Sequence, residues 1–463
     1  MTAPDRERTR TAPSALAGLA LSTALASFGT SSANVALPSL ATAFGASFEG
    51  IQWIVIAYIL AMTASMVAAG RLGDMIGRRR LLLAGIGLFS AAALLCAAAP
   101  SLPLLVAARA VQGVGAATMM ALAMASIADL LPAARTGGAM ATLAATSALG
   151  TALGPSLGGL LLAGLGWRAI FLAMLPLGLT ALGLAWRTLP PAHGRPAPER
   201  ARFDVAGAAV LALTLGAYAL ALTGLAHGPG AVEAGLLAVA AGGVVLFLRI
   251  EARAEAPLVA PAILREPALG AALAMSALVS AVVMASLVIG PFYLARGLGL
   301  GAAGVGIMLS AGPASAALSG LPAGWAVNRF GPRATTLTGL AGMADGCVLL
   351  ALLPRAAGLA GYVMPIVVVT GSYALFQTAN NSAVMAGAES GRRGVVSGML
   401  NLSRNLGLIT GASAIAALFA AAAGADAPPE AVAAAMRLSF GAAAVLVLAA
   451  LRLAWQSGTP SSS

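Results

Sequence analysis

An all-α membrane protein is predicted here, built from two pseudo-symmetric six-helix bundles with two inserted central helices. Three observations predict it. Hydrophobic residues fill 60% of the 463 positions and charged residues only 9%, against about a quarter charged in soluble domains. The apolar residues fall into about fourteen runs long enough to span lipid. The first half of the pattern then recurs in the second.

Each span rests on the need for roughly 20 mostly apolar residues. The runs lie near 15–37, 50–70, 81–99, 102–122, 138–163, 168–187, 204–224 and 231–249, then near 269–293, 303–326, 334–353, 360–385, 395–422 and 432–455. The first run follows Arg6, Arg8 and Arg10, as in a secretory signal. It is too long for a signal h-region and is read as the first span. The expected organisation is 1–189 as the first bundle, 190–203 as a linker and 204–250 as the inserted pair. A second linker at 251–268, the second bundle at 269–456 and a tail at 457–463 complete it.

The net charge of +11 does not indicate a nucleic-acid groove. All 26 basic residues are arginine, concentrated in the hydrophilic breaks. Arg78, Arg79, Arg80, Arg135, Arg195, Arg200, Arg202, Arg253, Arg265, Arg329, Arg333, Arg392 and Arg393 share one side, against Arg168, Arg296 and Arg355 on the other. Positive residues mark the cytoplasmic side, so both termini are expected inside a plasma (inner) membrane. Cys96 and Cys347 are far apart in apolar runs, so neither a disulfide nor a metal site is expected. The chain has no lysine and hence no Walker loop, and no cofactor is expected. His193 and His227, the only histidines, fall in loops on opposite sides, which disfavours a membrane enzyme.

The repeat is carried by short motifs. Gly70, Asp74, Gly77 and Arg79 meet Gly324, Asn328, Gly331 and Arg333 at one constant offset. Downstream, Arg135, Gly137, Gly150 and Gly154 meet Arg392, Gly394, Gly407 and Gly411. Two matches in the same order indicate duplication, as in many secondary transporters. The spans at 204–224 and 231–249 have no counterpart.

These residues resemble the major facilitator superfamily, and within it the fourteen-span drug:proton antiporters. The loop Gly70-Arg-Leu-Gly-Asp74-Met-Ile-Gly77-Arg78-Arg79 is similar to the superfamily signature between spans two and three, which implies a gating latch stabilising the outward-facing state. Gly150, Gly154, Pro155, Gly158 and Gly159 resemble the antiporter signature of span five, which implies export. Arg109-Ala-Val-Gln112-Gly113 resembles a span-four signature whose arginine faces the cavity and assists proton transfer, with Gln112 expected to line the substrate cavity; for Arg109 snorkelling to the outer surface is the alternative. Span one departs from the pattern, with Gly29 where relatives carry the aspartate that leads as proton carrier.

The remaining candidates come from helical spacing and depth. Ser27, Ser31 and Asn34 form one polar stripe, and Tyr373, Gln377, Asn380 and Asn381 another; each suits either a substrate cavity or interhelical hydrogen bonds. Arg404 lies roughly 15 Å into its span, too deep to snorkel. Asp345 near mid-span and Glu49 at the outer end of span two are the acids available to carry a proton, Glu49 being placed to pair with Arg109. The resemblance thus implies a monomeric, lipid-embedded exporter of a drug, antibiotic or metabolite in exchange for protons. Without an acid in span one, neutral or anionic cargo is expected. The alternative is an importer or facilitator of a sugar or organic acid.

Overall fold

A helix crosses lipid with its backbone groups paired internally, and the elements of this chain are helices. The computed structural model describes residues 3–130, 133–190, 205–225, 228, 230–252, 266–352, 355–387, 393–424 and 427–456, with no strand among them. Most of both expected linkers and all of the tail lie outside the described residues.

The first bundle comprises α1 (Ala3–Phe44), α2 (Phe48–Ile76), α3 (Arg78–Ala98), α4 (Leu102–Leu130), α5 (Ala133–Leu165) and α6, formed by Trp167–Leu172 and Met174–Thr188. The inserted pair is α7 (Val205–Gly224) and α8 (Ala231–Glu251). Next comes α9 (Pro267–Phe292), extended by a π turn at Tyr293–Gly297. A continuous helical stretch then covers Ala302–Leu352, whose 51 residues measure about 77 Å, more than twice the hydrocarbon thickness. Gly331, at φ 83° and ψ 162°, breaks it into α10 (302–330) and α11 (332–352). The remaining spans are α12 (Gly358–Gly387), α13 (Arg393–Thr410, a π turn at Gly411–Ile415, then Ala416–Ala423) and α14 (Pro429–Gln456). Among the described residues, thirteen helical stretches are long and apolar enough to cross a membrane; counting the broken one as two gives fourteen spans. The first span runs through Pro38 to Phe44, beyond the end expected at Leu37, because one missing hydrogen bond is tolerated where neighbouring helices hold the turn.

The repeat is visible in the backbone. Gly77 joins α2 to α3 at φ 98°, and its mate Gly331 joins α10 to α11 at φ 83°, a region that side chains disfavour. The second motif pair sits at equivalent crossings. A Cβ on Gly150 would lie 2.2 Å from the Ala24 carbonyl oxygen, and one on Gly407 2.1 Å from that of Ala277. Thus α5 packs on α1 as α13 packs on α9, backbone against backbone, which is how helices associate where lipid is the solvent.

The halves meet most closely at the end opposite the Gly77 and Gly331 loops. There a Cβ on Gly159 of α5 would fall 2.7 Å from the Cα of Gly306 on α10, and one on Gly306 would fall 2.4 Å from the Pro155 carbonyl oxygen. Phe48 at the start of α2 meets Phe292 at 4.5 Å and Phe419 at 5.3 Å between ring centroids. At the other end a Cβ on Gly70, Gly324 or Gly331 would meet nothing within 4 Å. The inserted pair is central in sequence and peripheral in space: α7 lies against α2 and α13, while α8 packs on α7 and leaves Val232 70% and Val239 61% exposed.

Candidate functional site

Arg109 is fully enclosed within the first bundle. Its Nε donates to the Ile54 carbonyl of α2 at 3.1 Å, Nη1 to Gln112 Oε1 at 2.6 Å and Nη2 to the Gly29 carbonyl of α1 at 3.0 Å. The guanidinium carbon sits 4.2 Å from the Tyr58 ring centroid and 6.0 Å from that of Phe171. Tyr58 in turn donates to the Ala26 carbonyl at 2.9 Å. Among the described residues the cation has no carboxylate partner; peptide dipoles and aromatic faces hold it instead.

Three expectations for this region change. Arg109 neither snorkels nor lines a cavity in this state, because the helical face it occupies is covered by α1, α2 and α6. Gln112 is not a cavity residue either: its Oε1 accepts from Arg109 and its Nε2 donates to Met174 Sδ at 3.3 Å, with no exposure. The pairing of Glu49 with Arg109 does not form. Glu49 lies in the first turn of α2, where Ser47 caps the Gly50 amide and the helix dipole favours an acid. Its surroundings form a crevice between the halves lined by Phe48, Phe292, Arg296 and Phe419.

Gly29 faces the same cluster. A Cβ there would lie 2.9 Å from Phe89 Cζ and 3.4 Å from Tyr58 Oη. Phe89 therefore fills the space that an acid at position 29 would need, and the Gly29 carbonyl meets Arg109 in its place.

The polar stripe on α1 divides. Ser31 turns into the α1–α5 crossing, where its Oγ donates to the Ser27 carbonyl and a Cβ on Gly154 would collide with it. Gly158 packs against Val35 and Ser32 in the same seam. Ser31 is thus a packing residue, contrary to expectation, because its neighbour is a glycine helix and not open space. Ser27 shares a 2.6 Å hydrogen bond with Ser147 of α5. Asn34 differs: it is 1% exposed, and neither amide atom has a hydrogen-bond partner. Gln52 on α2 is in the same condition at 0%. The Tyr58–Ala26 bond sets the antiparallel register, and eight residues up α1 against six back along α2 place both amides within about 3 Å in depth.

The second stripe divides as well. Asn380 is buried and donates to the Ala272 carbonyl of α9 at 3.4 Å, while Asn381 is exposed. Tyr373 and Gln377 are half-buried, and Gln377 Oε1 has no partner. Arg404 is half-buried too; its Nη2 donates to Asn401 Oδ1 at 3.1 Å, and its Nε has no partner. Gly407 rests on α9, and Thr410 meets Tyr218 of α7 at 2.9 Å. At about 100° per residue this places Arg404 and Asn401 on the flank of α13 turned away from the peripheral helices. Asp345 is exposed on α11, whose Gly339, Gly342 and Gly346 face α12, so it stands on the outer rim and away from the space between the halves.

The loop expected to gate makes contacts within its own bundle. Asp74 pairs with Arg78 of its own loop at 2.9 Å and is 51% exposed. Arg78 also donates to the Ala125 carbonyl of α4, and Arg79 to that of Trp186 of α6. Asn328 and Arg333 are exposed.

The all-helical membrane architecture agrees with the chain's likeness to known proteins. The chain matches the Major Facilitator Superfamily over residues 19–412. It belongs to that superfamily. It is 33% identical over 386 residues to the uncharacterized transporter YebQ of Escherichia coli K12, covering 83% of this chain and 84% of that one. It is 33% identical over 406 residues to the drug efflux pump JefA of Mycobacterium tuberculosis, covering 85% and 78%. Among solved structures, a bacterial homologue of the human lysosomal transporter Spinster, inward-facing and unoccupied, superposes with a TM-score of 0.73 at 16% identity, over 99% of this chain and 98% of that one. That likeness shows the fold. As a superfamily member the chain is a multi-pass membrane transporter of small molecules and not an enzyme.

The residues that most shape the site were not all singled out by the sequence. Tyr58, Phe89 and Phe171 around Arg109, Gln52 beside Asn34, and Gly306 opposite Gly159 emerge only from packing. Gly306 alone had an available signal, as a small residue in the span that the repeat pairs with α2.

Proposed function

We propose that this transporter exports a small organic molecule such as a drug, an antibiotic or another metabolite, by alternating access and in exchange for protons. It does so from the inner membrane as a monomer with both termini in the cytoplasm. The observation that carries the reading is the seam between Pro155–Gly159 of α5 and Gly306 of α10. An antiporter-type glycine-proline segment there makes the tightest contact between the halves, at the end away from the arginine-rich loops. A cavity open toward those loops takes up cargo from the cytoplasm, and rocking about the seam releases it on the other side. The name of the relative JefA, a drug efflux pump, agrees with that direction.

Proton exchange is carried by a carboxylate between the halves. Glu49 holds that position, in the crevice with Phe48, Phe292 and Phe419, whereas Asp345 on the rim is the poorer candidate. Inverted membrane vesicles energised by respiration should accumulate cargo, and a protonophore should abolish the accumulation. Uptake into right-side-out vesicles instead would overturn the direction. Glu49→Gln should abolish gradient-driven accumulation while leaving exchange of labelled for unlabelled cargo within about twofold; if gradient-driven transport survives, Glu49 is not the carrier.

A further inference from the structure

Below the outer crevice that Arg296 lines, the space between the halves holds, among the described residues, Arg404 and a set of neutral polar groups left without partners. Arg404 lies about eleven residues into α13, roughly 16 Å from its start. Among the described residues it forms no ion pair; Asn401 alone supports it, with Nε unused. A positive charge at that depth needs backbone carbonyls, as around Arg109, or else water or an anion, and no carbonyl meets Arg404 among the described residues. The flank it occupies borders the α9 contact, is turned away from Thr410 and α7, and is only half-buried, so it opens toward the space between the bundles.

Above Arg404 the contact between α2 and α13 carries more unmet hydrogen-bonding capacity. Asn405 Oδ1 and Ser413 Oγ on α13, and both amide atoms of Gln52 on α2, are buried without partners. The Phe48–Phe419 contact fixes the register of α2 against α13. Counting 1.5 Å per residue from it, Gln52 stands about 16 Å above Arg404, with Ser413 close to the level of Gln52. Asn34 completes this upper tier from α1. Buried polar atoms are normally satisfied, so a run of unsatisfied ones along one interface indicates groups that meet a partner during function.

The charge balance decides what that partner is. The spans that face across the interface, α1, α2, α5, α9, α10, α12 and α13, carry acids only near their ends, as with Glu49 and Asp74. Arg109, the other deep cation, is sealed inside its own bundle. Below Glu49, among the described residues of these spans, no fixed negative charge lies at membrane depth to attract a cation or to neutralise Arg404.

We propose that the cargo is an organic anion. Its charged group is held by Arg404 and Asn401, and its neutral polar groups extend toward Asn405, Ser413, Gln52 and Asn34. Planar oxyanions, a carboxylate above all, fit a guanidinium fork best. This deepens the proposed function and rests on it for the inter-bundle space being the transport path.

The test is binding to the purified full-length protein in detergent, with aromatic acids and amines of the same ring skeleton as probes. Suitable pairs are 2-naphthoate against 2-naphthylmethylammonium, and anthraquinone-2-carboxylate against its aminomethyl analogue. The acids should raise the melting temperature in a saturable way and the amines should not. Arg404→Gln should weaken acid binding at least tenfold, and Arg404→Lys should restore most of it. Asn401→Asp, which sets a carboxylate beside the intact arginine, should weaken it similarly even if Arg404→Gln fails to fold. Stabilisation by amines and not acids, acid binding indifferent to both Arg404→Gln and Asn401→Asp, or no binding by any acid would overturn the proposal. Acids that bind through Arg404 without accumulating in inverted vesicles would sink only the export reading. Export of neutral drugs without acid binding would sink only this one.

Discussion

Arg109 and Arg404 lie deep in helices of opposite halves, yet they do different work. Arg109 is locked by two backbone carbonyls, Gln112 and the face of Tyr58, with no exposure. Arg404 has one side-chain partner, an unused Nε and an open flank. An arginine in a span is therefore not a site by virtue of depth; the partners around it decide. A fully satisfied guanidinium ties helices together, and an underpartnered one awaits a ligand.

Substituting each arginine breaks that comparison most directly. Arg109→Gln removes charge-assisted bonds to α1 and α2, worth about 1.5–3 kcal/mol each, and opens a hole beside Tyr58 and Phe171. It should lower thermal stability by more than about 3 kcal/mol in detergent and reduce the folded yield. Arg404→Gln should cost under about 1 kcal/mol, since Arg404 makes one modest hydrogen bond. Fluorescence-detected size-exclusion after a heating series measures both. Equal losses would dissolve the distinction between a strut and a binding group.

The two halves can also be compared through their repeated glycine crossings. Gly150→Ala and Gly407→Ala place a methyl 2.2 and 2.1 Å from the facing carbonyl oxygens of Ala24 and Ala277. Backbone cannot yield as a flexible side chain does, so each should cost about 1–3 kcal/mol by overpacking, with closely similar melting shifts. A clear asymmetry would mean that one half relaxes where the other does not. Gly324→Ala, where a Cβ meets nothing, should shift the melting point within error.

The spans and the two matching glycine turns at Gly77 and Gly331 are legible because hydropathy and glycine spacing are local signals. Gly331 reads as a break because it repeats Gly77, although Ala302–Leu352 is helical on both sides of it. The fate of single polar residues was not legible. Helical spacing assigns Ser31 and Asn34 to one stripe, but it cannot say that α5 presents a glycine to the first and nothing to the second. Likewise the Arg109–Gln112 spacing gives a shared face, while the aromatic lid over that face comes from α2 and α6, far away in sequence. The π turns at Tyr293–Gly297 and Gly411–Ile415 have no local signature either. They answer to packing at the ends of α9 and α13.

A modest effect is expected at the inserted pair. Tyr218 of α7 and Thr410 of α13 share a 2.9 Å hydrogen bond between hydroxyls, and a Cβ on Gly243 of α8 would press on Thr214 of α7. The pair is thus anchored to the second bundle by a hydrogen bond and to the first by apolar contact with α2. Tyr218→Phe removes the bond while keeping the ring, and should cost about 0.5–1.5 kcal/mol. If α7 also couples to the rocking of α13, the same variant should alter the rate of cargo exchange; if it is only an annex, stability alone should move. Exchange rates and melting temperatures on one preparation separate the two, because Thr410 is six residues beyond Arg404 on the helix that holds the cargo anion.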